Sequence, residues 1–374
     1  MEEQAGPLLI PYLKPILEHL RVGFDRFQHK NLLILYDAIL TLADSVGSAL
    51  NQPEYIDLLI PPLLQKWEQV GDEDRGLVSL LECLSSVAVA VGPGFHAFAV
   101  PVYKHTHNLI HQVLVQDQHY QQGAIPDPPD KEFLVAALDL MSGLVQGLGE
   151  DLHTVISSTE PKLVEMLTHC LRVRSPSPFS LINQQDEIDD VRQSGFALLG
   201  DMAISCFVFI RPYMQEIMHV LIPQITANGA APSVCNNAAW AAGEMAIQLG
   251  SQFQPFIPPL LQRLITVMNA ENTPGPVLEN SAICVGRLGL VCSDDVAPSL
   301  PTFASAFIRA LKDVRDNEEK DSAFRGFCTM IGKNPSGLSS DLTNFVIAVA
   351  KYSEPSSELA DMFHTVLFLS EVKS

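Results

Sequence analysis

The chain has 374 residues, 47% hydrophobic and only 18% charged, and its 23 basic against 43 acidic side chains give a formal net charge of −20. Apolar residues this plentiful exclude a disordered acidic tail. The charge argues against non-specific nucleic-acid binding and against docking on anionic lipid, both of which need basic residues, and points to a basic partner.

The opening Met1-Glu-Glu-Gln-Ala-Gly6 lacks the basic and apolar regions of a signal peptide. Leu9, Leu13, Ile16 and Leu20 follow at spacings of three and four, which predicts a helix around Ile10-Pro-Tyr-Leu-Lys-Pro-Ile16. A second helix carries Leu40-Thr-Leu-Ala43, a third Ile60-Pro-Pro-Leu-Leu-Gln-Lys-Trp67, and a fourth Ser85-Ser-Val-Ala88. Beyond them come Ser142-Gly-Leu-Val145, Gly200-Asp-Met-Ala203, Phe209-Ile-Arg-Pro-Tyr-Met214 and Gly243-Glu-Met-Ala246. Ile257-Pro-Pro-Leu-Leu-Gln-Arg-Leu264, Gly286-Arg-Leu-Gly289 and Cys328-Thr-Met-Ile331 complete the series.

Two segment types therefore alternate. The proline-bearing type belongs near a helix start, where a first-turn residue needs no intrahelical N–H partner. The second type has small residues that let helices approach closely, and its second position recurs at 201, 244, 287 and 329, in steps of 43, 43 and 42. That period is the one expected of HEAT and armadillo repeats. Strand patterning is nearly absent. The expected fold is all-α, a HEAT-repeat right-handed superhelical solenoid of about sixteen helices in eight antiparallel pairs, running as one array over residues 1–374. Two longer intervals read as mobile loops: 116–131, with Pro126-Asp-Pro-Pro-Asp130, and 173–190, with Ser175-Pro-Ser-Pro178 and Asp186-Glu-Ile-Asp-Asp190.

Cys83, Cys170, Cys206, Cys235, Cys284, Cys292 and Cys328 are odd in number, form no Cys-x-x-Cys and sit mostly in apolar helical stretches, so they read as reduced core thiols of an intracellular protein. No uninterrupted apolar run approaches the ~20 residues of a membrane span. Gly-rich phosphate loops, nucleophile elbows and paired-cysteine metal spacings are missing, so no enzyme, cofactor or metal site is expected. The nearest metal candidate is His105-Thr-His-Asn-Leu-Ile-His111. On a helix His107 and His111 share a face without His105, which reads as solvated surface.

The informative residues are polar or aromatic positions on the second helix of each pair. Asp37 and Thr41, Val135 and Asp139, and Asn236 and Trp240 lie four apart; Asn280 and Ile283 lie three apart; Asp201 belongs to the layer between. In a stacked solenoid these helices line the concave surface, giving an acidic, amide and aromatic strip. Such a strip suits an extended basic peptide: amides hold its backbone, carboxylates take Lys or Arg, and Trp offers a face to cations. Solvated helix surface, inter-repeat bonding and core packing of Trp240 are the competing readings.

At Lys30-Asn-Leu-Leu-Ile-Leu-Tyr-Asp-Ala-Ile39, and more so at Arg315-Asp-Asn-Glu-Glu-Lys-Asp-Ser-Ala-Phe-Arg-Gly326, the sequence resembles the transportins, karyopherin-beta import receptors for cargo with proline-tyrosine nuclear localisation signals. Leu80-Leu-Glu-Cys-Leu-Ser-Ser-Val-Ala88, Val191-Arg-Gln-Ser, Phe196-Ala-Leu-Leu-Gly-Asp201, Val234-Cys-Asn-Asn-Ala and Leu278-Glu-Asn extend the resemblance in order along nearly the whole chain. It corresponds to the C-terminal, cargo-binding part of a transportin. The resemblance implies an acidic pocket for the signal's arginine at Glu3, Asp37 and Thr41. It implies a second pocket, for the upstream basic or hydrophobic part, at Val135, Asp139, Asp201, Asn236, Trp240, Asn280 and Ile283. Val135 stands where the family usually has isoleucine, a loss of one methylene.

Other implied properties are shuttling between cytoplasm and nucleus, contact with nucleoporins, and cargo release by Ran-GTP in the complete receptor. The family's Ran-binding N-terminal repeats, its cargo-ejecting acidic loop and its tryptophan pocket for the proline-tyrosine pair are not in this sequence. The chain alone is therefore expected to bind peptide weakly and not to respond to Ran. A HEAT scaffold that assembles other protein subunits is the alternative.

Overall fold

The structure, a computed structural model, describes residues 2–71, 74–172, 182–227 and 231–371, and side chains over 6–71, 74–172, 188–227 and 231–368. Every regular element among the described residues is helical. By contact the chain divides into two compact units, Met1–Phe209 and Ile210–Ser374.

The first unit contains α1 (Glu2–Leu9), α2 (Leu13–Arg26), α3 (His29–Val46), α4 (Pro53–Gln69), α5 (Gly76–Val91), α6 (His96–Gln121), α7 (Glu132–Leu148), α8 (His153–Ser158), α9 (Leu163–Leu171) and α10 (Ile182–Ser205). The short α11 (Phe207–Ile210) follows, then α12 (Met214–Leu221), α13 (Pro232–Leu249), α14 (Ile257–Asn269), α15 (Gly275–Val291), α16 (Ser293–Val296), α17 (Leu300–Leu311), α18 (Glu318–Lys333), α19 (Leu342–Lys351) and α20 (Ser357–Glu371). With the short α1, α8, α11 and α16 set aside as lead-in turns, sixteen helices remain among the described residues, in eight consecutive pairs, as the repeat period predicts.

Within the first unit the second helices of the pairs form one layer: α3 packs on α5, α5 on α7 and α7 on α10. In the second unit α13 packs on α15, α15 on α18 and α18 on α20, while the first helices α14, α17 and α19 pack on one another. A methyl added at Gly147 of α7 would lie 2.3 Å from the Ala88 carbonyl oxygen of α5, and one added at Gly326 of α18 would lie 1.7 Å from that of Gly286 in α15. Neighbouring second helices thus touch backbone to backbone, which is why the recurrent motif is made of small residues. Bulk is supplied elsewhere: Phe307 and Phe327 stack at 4.2 Å between ring centres, with Phe324, Phe345 and Phe363 around them.

Several expectations need correction. The interval 116–131 is not all loop, since α6 continues to Gln121. Its end is anchored by Asp117, which is paired with Lys131 at 3.5 Å and accepts from Gln121 at 2.6 Å, and by Arg75 with Asp130 at 3.1 Å. Of 173–190, residues 182–190 are the first turns of α10, and 173–181 lie outside the described residues. The repeated proline segment is not used in one way: Pro61 and Pro62 fall inside α4, whereas Pro258 and Pro259 open α14 because a 3₁₀ segment, Gly250–Phe256, precedes it. The stretches His29–Leu50, Gly76–Gln121 and Glu132–Ser158 have the length and apolar composition to cross a membrane, although no uninterrupted apolar run does. Of their most apolar windows, 39%, 56% and 67% respectively is buried inside the protein.

Candidate functional site

In the first unit the exposed side of the second-helix layer is acidic. Asp37 and Thr41 are exposed on α3, one turn apart, as their spacing requires. Val135 and Asp139 are half-buried on α7. Between them α5 presents Glu82, whose carboxyl is pushed up first by burial and then by Asp139, Glu132 and Asp37. The charges acting on Glu82 are thus all carboxylates, contributed by the two helices that flank α5, α3 and α7. Burial also raises Asp139, against a hydrogen bond from Ser194 of α10 that favours its ionised form.

Asp201 is on α10 but in the packing, 6% exposed, where Ser142 Oγ and, at 3.0 Å, Gln146 Nε2 of α7 donate to its Oδ2. It ties α7 to α10 and presents no open carboxylate to a peptide. Glu3 lies on α1, and its side chain is outside the described residues.

In the second unit Asn280 Nδ2 of α15 donates to Asn236 Oδ1 of α13 at 2.9 Å, so these two amides form a rung between neighbouring helices. Trp240, one turn beyond Asn236, is half-buried, and its indole N–H donates to Glu319 Oε1 of α18 at 3.0 Å. Arg287 of α15 reaches Glu244 of α13 at 2.6 Å and Glu319 at 3.6 Å. Burial raises the Glu244 carboxyl despite Arg287, and raises Glu279, with Glu319 adding to the shift. Ile283 is 2% exposed and is core: the i,i+3 relation to Asn280 is real, but its side of the helix meets a neighbour.

Sequence reasoning missed Glu82, Glu132, Glu279 and Glu319. For Glu82 the signal was present: Asp37, Glu82 and Asp139 each stand three residues before a small-residue motif, at Leu40, Ser85 and Ser142. The histidine reading holds for one member of the pair: His111 is exposed, whereas His107 is 2% exposed, with Nε2 at 2.8 Å from the Pro161 carbonyl oxygen. His105, off that face, stacks on Trp67 at 4.3 Å.

No protein-family model matches the chain. Among curated proteins it is similar to importin subunit beta-2 of Schizosaccharomyces pombe, 46% identical over 367 residues, and to Transportin-1 of Homo sapiens, 47% identical over 370, each covering 98% of this chain and 39% of the relative. Transportin-1 of Oryza sativa is 41% identical over 96% of this chain and 39% of its own. Among solved structures, yeast importin-beta (Kap95p) superposes with a TM-score of 0.68 at 14% identity, covering 96% of this chain and 42% of that one. An importin beta crystallised in ammonium sulfate superposes with 0.60 at 16%, covering 87% and 38%. The structural likeness confirms a HEAT-type helical solenoid fold. Along nearly its whole length the chain is thus similar to the transportins of the importin-beta, or karyopherin, family, of whose length it spans about two-fifths.

Proposed function

We propose that this chain is the signal-recognising part of a nuclear import receptor, binding the basic segment of a proline-tyrosine-type nuclear localisation signal through reversible contacts and no covalent chemistry. The observation that carries the reading is the field at Glu82, where Asp37, Glu132 and Asp139 converge from α3 and α7 on a carboxylate of α5. Carboxylates clustered on neighbouring helices repel one another until a cation lies among them, so an extended chain of Lys and Arg is the complementary ligand. The amide rung Asn236–Asn280 and the half-buried Trp240 add peptide-backbone and side-chain contacts of the same class in the second unit. Release by Ran-GTP is proposed for the complete receptor.

The test is fluorescence anisotropy with a labelled basic, hydrophobic signal peptide and a control whose Lys and Arg are replaced by Gln. Trp240→Ala is expected to weaken binding by at least ~1 kcal/mol, about fivefold, as for an interface anchor. Glu82→Lys and Asp139→Lys are expected to weaken it further and to flatten its salt dependence. Equal binding of the control peptide, or unchanged affinity in all three variants, would sink the reading.

A further inference from the structure

Arg287 has almost no surface, its side chain being 8% exposed, yet it reaches both carboxylates at the edge of Trp240. Its guanidinium leaves α15 and meets Glu244 of α13 at 2.6 Å, Glu319 of α18 at 3.6 Å and the Ser322 hydroxyl of α18 at 3.2 Å. Gly243 makes room for it: a methyl there would lie 3.3 Å from Arg287 Cδ. The contacts from Trp240 and Arg287 to Glu319 both fall on Oε1. Glu319 is 37% exposed, so the carboxylate that fixes the indole also faces solvent.

We propose that Arg287 is a positioning residue for the Trp240 end of the signal-binding face: it locks Glu244 and Glu319 together, and through Glu319 it holds the indole in one orientation before peptide arrives. This inference rests on the reading above. A planar fork with several donors can bind two carboxylates from different helices at once, which a lysine ammonium does less well. Removing it leaves half-buried Glu244 without its cation, and Glu244 already sits above the ordinary carboxylate range through burial. Glu319 is then released from α15, and the indole N–H loses a fixed acceptor. Preorganisation of this kind lowers the ordering cost of binding without touching the ligand.

The chain has two tryptophans, Trp67 and Trp240, so Trp67→Phe leaves Trp240 as sole reporter. In that background Arg287→Met is expected to raise acrylamide quenching of Trp240 about twofold and to weaken the basic signal peptide about fivefold, with Arg287→Lys partly restoring both. Combined with Trp240→Ala, Arg287→Met is expected to change affinity less than about twofold, because the effect passes through the indole. Unchanged quenching, or an equal affinity loss with and without Trp240, overturns the proposal. Should Arg287→Met fail to fold by circular dichroism, Glu319→Leu removes the indole's acceptor while keeping the Arg287–Glu244 pair, and an unchanged quenching constant there overturns it equally. If the control peptide binds equally, the signal-face reading falls; if Trp240→Ala weakens binding and Arg287→Met does not, only the positioning role falls.

Discussion

Glu82 and Asp139 are raised above the ordinary carboxylate range, and the sign of that shift has opposite consequences for binding and for folding. On acidification these groups lose their charge earlier than a free Asp or Glu, and a neutral carboxyl cannot pair with Lys or Arg. Signal-peptide affinity is therefore expected to fall as pH drops through the window above the ordinary values of 4.5 and 3.8, and Glu82→Gln with Asp139→Asn should flatten that profile in isothermal titration. For stability the same groups act in reverse: a folded-state pKa above the unfolded one favours the fold at low pH, and this contribution is lost as pH rises through the folded value. His107 has the other sign. Burial lowers it from 6.5, so its contribution is present above that value and lost as pH falls below it. The urea midpoint should fall between neutral pH and the lowered pKa, with a gentler slope in His107→Gln. Asp37 and Asp139 could be read from helix spacing, and Glu82 from its register before a small-residue motif. Asp201 and Ile283 could not be placed, because spacing on a single helix does not distinguish a face toward solvent from one toward the next helix.

Among the second helices, α3, α5, α7 and α13 stop in the same manner. Gly47, Gly92, Gly149 and Gly250 follow them with φ between 50° and 58°, and each N–H caps the carbonyl four residues back. Side chains rarely adopt that conformation, so these glycines terminate each helix and turn the chain toward the next pair. The other use of glycine is contact. With its methyl 1.7 Å from the Gly286 carbonyl oxygen, Gly326→Ala must push α18 away from α15. The expected cost is about 1–3 kcal/mol, measurable as a melting-temperature drop of roughly 2–8 °C or as a lower urea midpoint. The residue pattern announced helices and small-residue contacts clearly. It did not announce that one Ile-Pro-Pro copy would lie inside a helix and the other at a helix start, because that depends on the 3₁₀ segment before α14 and not on the motif itself.

Across the whole molecule all seven cysteines are buried. Burial pushes Cys206, Cys284 and Cys328 up to about 12 and raises Cys83 as well, so they are protonated packing groups. A thiol reagent such as DTNB is expected to find no fast-reacting cysteine in the native chain and all seven after denaturation; a rapid native reaction would show that a described helix pair opens easily. The charge of −20 is distributed with purpose at least in part, since carboxylates from α3, α5 and α7 face one another.

Repeat period, helix pairing and the absence of strand character follow from the sequence by itself, since apolar spacing and small-residue recurrence are local properties that each pair repeats. The resemblance to transportins was legible for the same reason, in ordered motifs along the chain. Only the tertiary structure decided which polar residues are surface and which are struts. Asp201, Ile283 and Arg287 all sit on second helices at repeat positions, yet neighbouring helices bury them, while Glu82 stays open. Burial is set by what the next helix brings, and that is a property of the stack and not of any single segment.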